Sequence, residues 1–350
     1  MPATIKDVAK AASVSIGTVS RVINNYPDVD PALRERVQAA INDLNYRPNA
    51  RARTFVQNST PVLSFILSNR NLLNPFHSGI LQGVEEYCAG AGYFVMFTKY
   101  DYSKDVRPED LSLPGVLRSH GVADSLILAG TNYDNFVEAV ERLGVPYVIL
   151  ANHHVTGRAR SPYDRVGWDD ASGPYEATKY LIALGHRDIW YFGDTALPWY
   201  LSRYEAYEKA MREAGLEPRG QTVALSDNYY ANGYASAEFL LERGYPVTAV
   251  LGAYDEIAFG AWDAFRQRGL DVPRDISLIG YGDNDEAQFK SPPLTSVHIN
   301  KGLVGRQLAQ MAIEKLQRPN ERLAEVVVPV NLVKRGTTRP LHPAAVAQAL

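Results

Sequence analysis

Beyond residue 60 the chain alternates between two textures. Short apolar runs (VLSFIL, YFVMF, SLILAG, PYVIL, DIWYFG, VTAVLGA, DISLIGY) are separated by amphipathic stretches such as ILQGVEEYCAGAG, YEATKYLIALG, RYEAYEKAMREAG and AFGAWDAFRQRGL. A strand apolar along its whole length has to be covered on both faces, and parallel strands need a helix-length crossover to pair. The pattern therefore predicts an α/β fold of parallel sheets coated by helices. Seven such runs are more than one compact unit usually needs, so two doubly wound subdomains are expected. Gly92, Gly144, Gly185, Gly215 and Gly269 fall where helix C-terminal caps belong.

The first sixty residues follow a different rule. Thr4 with Asp7 has the form of a capping box, and Val8, Ala9 and Ala12 give a short helix one apolar face. In SVSIGTVSRVIN, Ser13 to Ser15 reads as a turn and Ser15 caps a second helix. Its Val19, Val22 and Ile23 point inward; Ile16, Gly17, Thr18 and Arg21 point outward. Asp30 before Pro31 starts a third helix, in which Leu33, Val37, Ala40, Ile41 and Leu44 recur at helical spacing. The spacing alone suits a generic three-helix bundle as well as a helix-turn-helix. The outward face of the second helix favours the latter, because Arg can donate two bonds to guanine and an aliphatic group can touch a thymine methyl. Charge agrees: residues 1–60 hold eight Lys or Arg against five Asp or Glu, while the remainder holds 28 against 34.

Several function classes lose support. No apolar run approaches the ~18 residues that span a bilayer, and the start MPATIKDVAK lacks the apolar core of a signal peptide, so a cytoplasmic protein without a membrane partner is expected. A lone Cys88 excludes an internal disulfide framework and a cysteine-clustered zinc site. GYGDN is not a dinucleotide fingerprint, and no GxSxG, HExxH or GxxxxGK[ST] run occurs, so neither an enzyme nor a cofactor is expected. His153 and His154 are adjacent, which is poor metal geometry, and His186 reads as a structural hydrogen bond at a helix-to-strand junction.

Ligands of doubly wound sheets lie beyond the carboxyl ends of the strands. The segments there are Ser68 to Phe76, Tyr100 and Asp101, Asn152 to His154, Trp168 to Asp170, Asp194 to Arg203, Tyr229 to Asn232, Tyr254 and Asp255, and Tyr281 to Asn284. They are rich in aromatic rings and in Asp, Asn and Arg. Sugars want both, stacking on rings and hydrogen bonding to planar polar groups. A small-molecule effector of sugar type is expected, although each residue has an alternative structural role, Asp255 as a helix cap above all.

The segments TIKDVAKAASVSIGTVSRVINN and LNYRPNARAR resemble the N-terminus of the LacI/GalR family of bacterial transcription regulators, and the similarity runs to about residue 340. NPF at Asn74 to Phe76, the segment from Trp168, LGHRDI, Arg203, DEIAFGAWDAFRQRGLDVP and SLIGYGDN resemble that family's sensor domain, which looks like a periplasmic sugar-binding protein.

The resemblance implies a helix-turn-helix headpiece at 1–47, a hinge helix and linker at 48–60, a core at 61–340 and a tail at 341–350. Within the core it implies one subdomain of about 61–162 and 295–324 and another of about 163–294 and 325–340. It implies base reading by Ile16, Gly17 and Arg21 and phosphate contacts by Ser15, Thr18 and Asn24, with Thr4, Tyr46 and Asn49 completing the DNA-facing set. The hinge, too short to be stable alone, would fold on DNA with a partner protomer. Arg51 and Arg53 would approach phosphates or the narrow groove, and Phe55 would wedge into the minor groove where the family has leucine, or else pack as part of an ordinary linker. The strand ends and the resemblance together give the expected effector contacts Asn74, Phe76, Asp101, Asn152, Trp168, Arg203, Tyr229, Tyr254, Asp255 and Asp283. Two departures stand out: Tyr254 replaces the family's asparagine, and Gly282 replaces an effector-binding aspartate, so that either Asp283 reaches in instead or the polar contact is absent.

The function implied is a homodimeric repressor of carbohydrate-utilisation genes, bound to pseudo-palindromic operator DNA and controlled by a sugar between the subdomains. The rival is a cytoplasmic sugar-binding sensor that acts through protein partners.

Overall fold

The computed structural model describes residues 4–23, 26, 29–44, 61–71, 75–119, 121–155, 164–223 and 228–341. The expectations at Asn24, Tyr46, Asn49, Arg51, Arg53, Phe55 and Asn74 lie outside them, as do the hinge at 48–60 and nearly all of the tail.

The chain divides at Thr60 into two units. In the first, α1 (Ile5–Ala11), α2 (Ile16–Ile23) and α3 (Pro31–Asp43) share a core of Val8, Ala9, Ala12, Val19, Val22, Val37 and Ala40. The Asp7 carboxylate accepts from Thr4 N at 2.8 Å and Thr4 Oγ1 at 2.7 Å, Ser15 Oγ accepts from Thr18 N at 3.0 Å, and Asp30 accepts from Leu33 N at 3.1 Å. Each helix therefore starts with its first free N–H groups engaged. Leu44 departs from the expected inward set. It forms the C-cap of α3 and is exposed.

Among the described residues, the second unit contains two six-stranded sheets and a two-stranded ribbon. The first sheet comprises β1 (Val62–Ser68), β2 (Phe94–Tyr100), β3 (Ser125–Gly130), β5 (Tyr147–Leu150), β7 (Arg165–Trp168) and β13 (Val326–Val328), in the order β13-β7-β5-β3-β1-β2, all parallel. Short β4 (Asn132–Tyr133) and β6 (His154–Val155) form the ribbon. The second sheet comprises β8 (Ile189–Phe192), β9 (Arg219–Gln221), β10 (Ala249–Gly252), β11 (Ser277–Gly282), β12 (Thr295–Ile299) and β14 (Val330–Val333), in the order β14-β12-β11-β10-β8-β9. Its one antiparallel pair is β12 with β14, an edge strand added to an otherwise parallel sheet.

Sheet membership corrects the expected boundaries. Arg165–Trp168 pairs with β5 and β13, so it belongs to the first lobe, whereas Thr295–Ile299 pairs with β11 and belongs to the second; Val326–Val328 returns to the first. Apolar runs announce a strand but not its neighbours, which are settled by long-range pairing. The chain thus passes between lobes three times: after Trp168, after Ile299 and between β13 and β14.

Each lobe is anchored by one close helix pair. A Cβ on Gly83 would lie 2.2 Å from Gly302 O, so the helices Pro75–Ala91 and Lys301–Gln317 touch backbone to backbone. A Cβ on Gly260 would lie 1.9 Å from Tyr230 O, which joins Tyr229–Glu242 and Asp255–Gln267 in the same way.

Candidate functional site

The three-helix unit offers one unusual surface. Along α2, Ile16 is 45% exposed, Gly17 and Arg21 are exposed beside it, and Val19 and Val22 face the core. Arg21 lies over the Tyr26 ring, 5.2 Å from its centroid. Thr18 Oγ1 is 2.9 Å from Ser15 Oγ, so the two hydroxyls sit together at the helix start, where N–H groups favour an anion. An aliphatic group, a bare backbone and a guanidinium on one solvent-facing turn are groups that can enter a major groove.

In the second unit, the carboxyl ends of the strands of both lobes meet around a cavity of about 420 Å³. From the first lobe come Asn69 and Arg70 after β1, Tyr102 to Asp105 after β2, and Thr131 and Tyr133 after β3. From the second come Asp194 after β8, Thr222 after β9, and Tyr200, Tyr229 and Asn232 on flanking helices. Asn69, at φ +52°, accepts from Tyr102 N at 2.9 Å and donates to Thr131 O at 3.2 Å, fixing both neighbouring loops. Arg70 crosses the cleft: Nε donates to Thr131 Oγ1 at 2.8 Å, Nη1 donates to the Tyr229 hydroxyl, and its guanidinium stacks on Trp199 at 5.4 Å. Lys301 also joins the lobes, donating to Gly282 O at 2.7 Å.

Behind Arg70 and Tyr229 the space closes to about 30 Å³ among Phe76, His77, Trp199, Tyr200, Arg203 and Tyr254. That holds a water or two and no sugar ring. Phe76 meets Trp168 edge-on at 5.1 Å between centroids. Asp170 ties the inner block together. Its Oδ1 accepts from Trp168 Nε1 at 2.9 Å, Arg203 Nε at 2.8 Å and the Tyr281 hydroxyl at 2.9 Å, and its Oδ2 accepts from Asn152 Nδ2 at 2.5 Å. Arg203 further donates to Ala253 O at 2.7 Å, and its guanidinium carbon lies 3.7 Å from the Tyr281 ring centroid. Burial, reinforced by the Arg70 charge, pushes the His77 pKa down to about 3, so its ring is neutral at pH 7.

The effector set inferred from sequence is therefore divided. Tyr229 lines the open cavity. Phe76, Arg203 and Tyr254 lie in the packed block behind it, and Trp168 is buried against Phe76. Asn152 holds the Trp168 backbone through paired bonds of 2.9 Å. Asp101 is exposed and pairs with Lys99 at 2.6 Å, away from the cavity, because Asn69 captures the next residue and turns the chain. Asp255 is fully buried and accepts from Ser296 Oγ at 2.6 Å and Asn284 N at 2.7 Å. Asp283 is held by Arg335 at 2.6 Å and His298 at 3.0 Å, so it does not replace the missing family aspartate. The two departures are linked: Gly282 has φ +117°, and a Cβ there would lie 3.1 Å from the Tyr254 ring. The ring occupies the side where a longer residue would project.

Sequence reasoning passed over Tyr102, Thr131, Tyr133 and Thr222. The carboxyl-end rule reaches the three that follow β3 and β9; the run SLILAG signalled Thr131 and Tyr133 directly. Arg70 lay inside a flagged segment but carried no motif.

The arrangement defines a regulator class: a helix-turn-helix unit followed by a two-lobed receptor with a polar, aromatic cleft between its sheets. Residues 4–49 match the model of bacterial regulatory proteins of the lacI family, and 178–338 match the periplasmic binding protein-like domain. The repressor PurR of Glaesserella parasuis serovar 5 is 34% identical over 97% of this chain and 99% of its own. Among solved structures, the lac repressor dimer bound to operator and the anti-inducer ONPF superposes with TM-score 0.78, at 26% identity over 97% of this chain and 100% of that one. A CelR–cellobiose complex gives 0.69, at 29% identity over 96% and 99%. The chain belongs to the lacI family of bacterial regulatory proteins, DNA-binding transcription regulators that answer to a small molecule and are not enzymes.

Proposed function

We propose that this regulator is a cytoplasmic homodimer that represses carbohydrate-utilisation genes by binding a pseudo-palindromic operator, with a sugar in the cleft setting its grip. The observation that carries the sugar is the 420 Å³ cavity, in which tyrosine rings alternate with Asp194, Asn232 and Thr222. A solved relative at 29% identity holds cellobiose. Dimerisation is supported by β2, an edge strand with Phe94 60% and Phe97 37% exposed, which would leave an apolar edge open in a monomer. Ile16, Gly17 and Arg21 would read bases, Ser15, Thr18 and Asn24 phosphates, and two headpieces would engage half-sites one helical turn or a multiple apart. Phe55 would wedge into the central minor groove between them.

Because the lobes are joined by three chain passages and by Arg70 and Lys301, a ligand that changes their angle would alter the dimer's presentation to DNA. Coupling of this kind is ~1–3 kcal/mol, a 5- to 150-fold change in operator affinity. The test is a mobility shift of the full-length protein on fragments from its own locus, with and without a panel of mono- and disaccharides. Sequence-selective binding shifted by one sugar is expected; no selective binding, or selective binding that no sugar changes, refutes the reading.

A further inference from the structure

Arg70 differs from Arg203, the guanidinium packed behind it. Arg203 is neutralised by Asp170, its Nη2 2.8 Å from the carboxylate. Arg70 is partly buried and bonds to two neutral hydroxyls, those of Thr131 and Tyr229, and none of the ion pairs among the described residues includes it. A guanidinium has five N–H donors and holds its charge at any physiological pH, so two uncharged acceptors leave most of its capacity and all of its charge uncompensated. Removing such a group from water is unfavourable unless an anion meets it. Stacking on Trp199 at 5.4 Å and Tyr229 at 5.9 Å offsets part of this and fixes the plane of the fork.

We propose that the effector carries an anionic group, carboxylate or phosphate, on a polyhydroxylated skeleton, and that Arg70 receives it. The inference rests on the cleft being the effector site. Beside Arg70 the first-lobe wall carries Lys104 and Asp105, and the second-lobe wall carries Asp194 and Asn232, groups that suit the hydroxyls of the skeleton. A bidentate pair with the fork is the strong form of such a contact. The anion would compete with the Tyr229 hydroxyl for Nη1, so the charge that fixes affinity also acts on a bond that spans the lobes.

The experiment is calorimetric titration of the full-length protein with glucuronate, galacturonate and glucose 6-phosphate, against glucose, galactose and cellobiose. At least one acid should bind ten-fold or more tightly than the neutral sugar of the same skeleton, and increasing salt should weaken it. Uronate against phosphate ester distinguishes the two sources of charge. Arg70→Gln should lower affinity for the acid at least ten-fold more than it lowers affinity for the neutral sugar, and Arg70→Lys should retain part of the preference. The wild-type ratio does not depend on whether either variant folds. Equal or tighter binding of the neutral sugars overturns the inference and leaves the cleft as the effector site. Binding of neither kind overturns both.

Discussion

Asp170→Asn removes one charge from a place where four donors converge. Arg203, 3% exposed, would remain buried without its counterion, and breaking a buried pair from one side usually costs about 3–5 kcal/mol. A second effect adds to the first: Asn152 Nδ2 lies 2.5 Å from Asp170 Oδ2, so an amide nitrogen there would set donor against donor. Because Asn152 and Trp168 belong to the first lobe while Arg203 and Tyr281 belong to the second, the loss should loosen the junction as well as the core. Urea unfolding followed by tyrosine and tryptophan fluorescence should show a midpoint lower by about 1 M or more, for slopes of about 3 kcal/mol/M. A double-mutant cycle completes the test. Asp170→Leu with Arg203→Met should cost well below the sum of the single changes, because the pair is then replaced rather than broken. If Asp170→Asn costs under about 1 kcal/mol, or the cycle is additive, Asp170 does not tie the lobes and the argument fails.

Burial, with the Asp255 charge adding to it, pushes the Glu256 carboxyl up to about 8 from an ordinary 4.5. An acid raised on folding favours the fold while protonated, so this contribution is present below about pH 4.5 and lost as pH rises toward 8. Allowing for partial exposure, Glu256→Gln should melt with the wild type at pH 4 and about 4–8 °C above it at pH 8.5, an effect of ~2 kcal/mol; parallel melting curves at every pH would count against it. Gly260→Ala should lower stability by about 3 kcal/mol or more in calorimetry, since the new methyl meets Tyr230 O at 1.9 Å, whereas Gly90→Ala, with nothing within 4 Å, should be neutral or slightly stabilising. Arg21→Ala should cost about 1–3 kcal/mol at one base pair of each half-site and relax preference there, read by selection from randomised operators; a uniform loss over all sequences would make Arg21 a phosphate contact.

Much of the architecture was legible because the deciding interactions are local. Asp7, Ser15 and Asp30 cap their helices from within one turn, and Gly215 and Gly269 stop theirs at φ +70° and +77°. His186, read as a structural hydrogen bond, lies 3.0 Å from Arg339 O. What failed was non-local. The seven apolar runs did not include Thr295–Ile299, a strand flanked by β11 and β14, and the resemblance had given that segment to the other lobe. The carboxyl-end rule found the neighbourhood of the cleft, yet which side chains face the void depends on partners far along the chain. Asp170 occupies Arg203, Arg335 occupies Asp283, and Asn69 diverts Asp101 in favour of Tyr102. The same residue types in the same segments end as core or as lining according to those bonds.

The three passages between the sheets mean that neither lobe is a contiguous stretch of polypeptide. The first sheet is unfinished until β13 is made, near the end of the chain, and the second takes its edge from β14 directly after it. No truncation can therefore isolate one lobe, a ribosome must emit almost the whole chain before either half can close, and a chimera that exchanges specificities between relatives has to splice several separate pieces in concert.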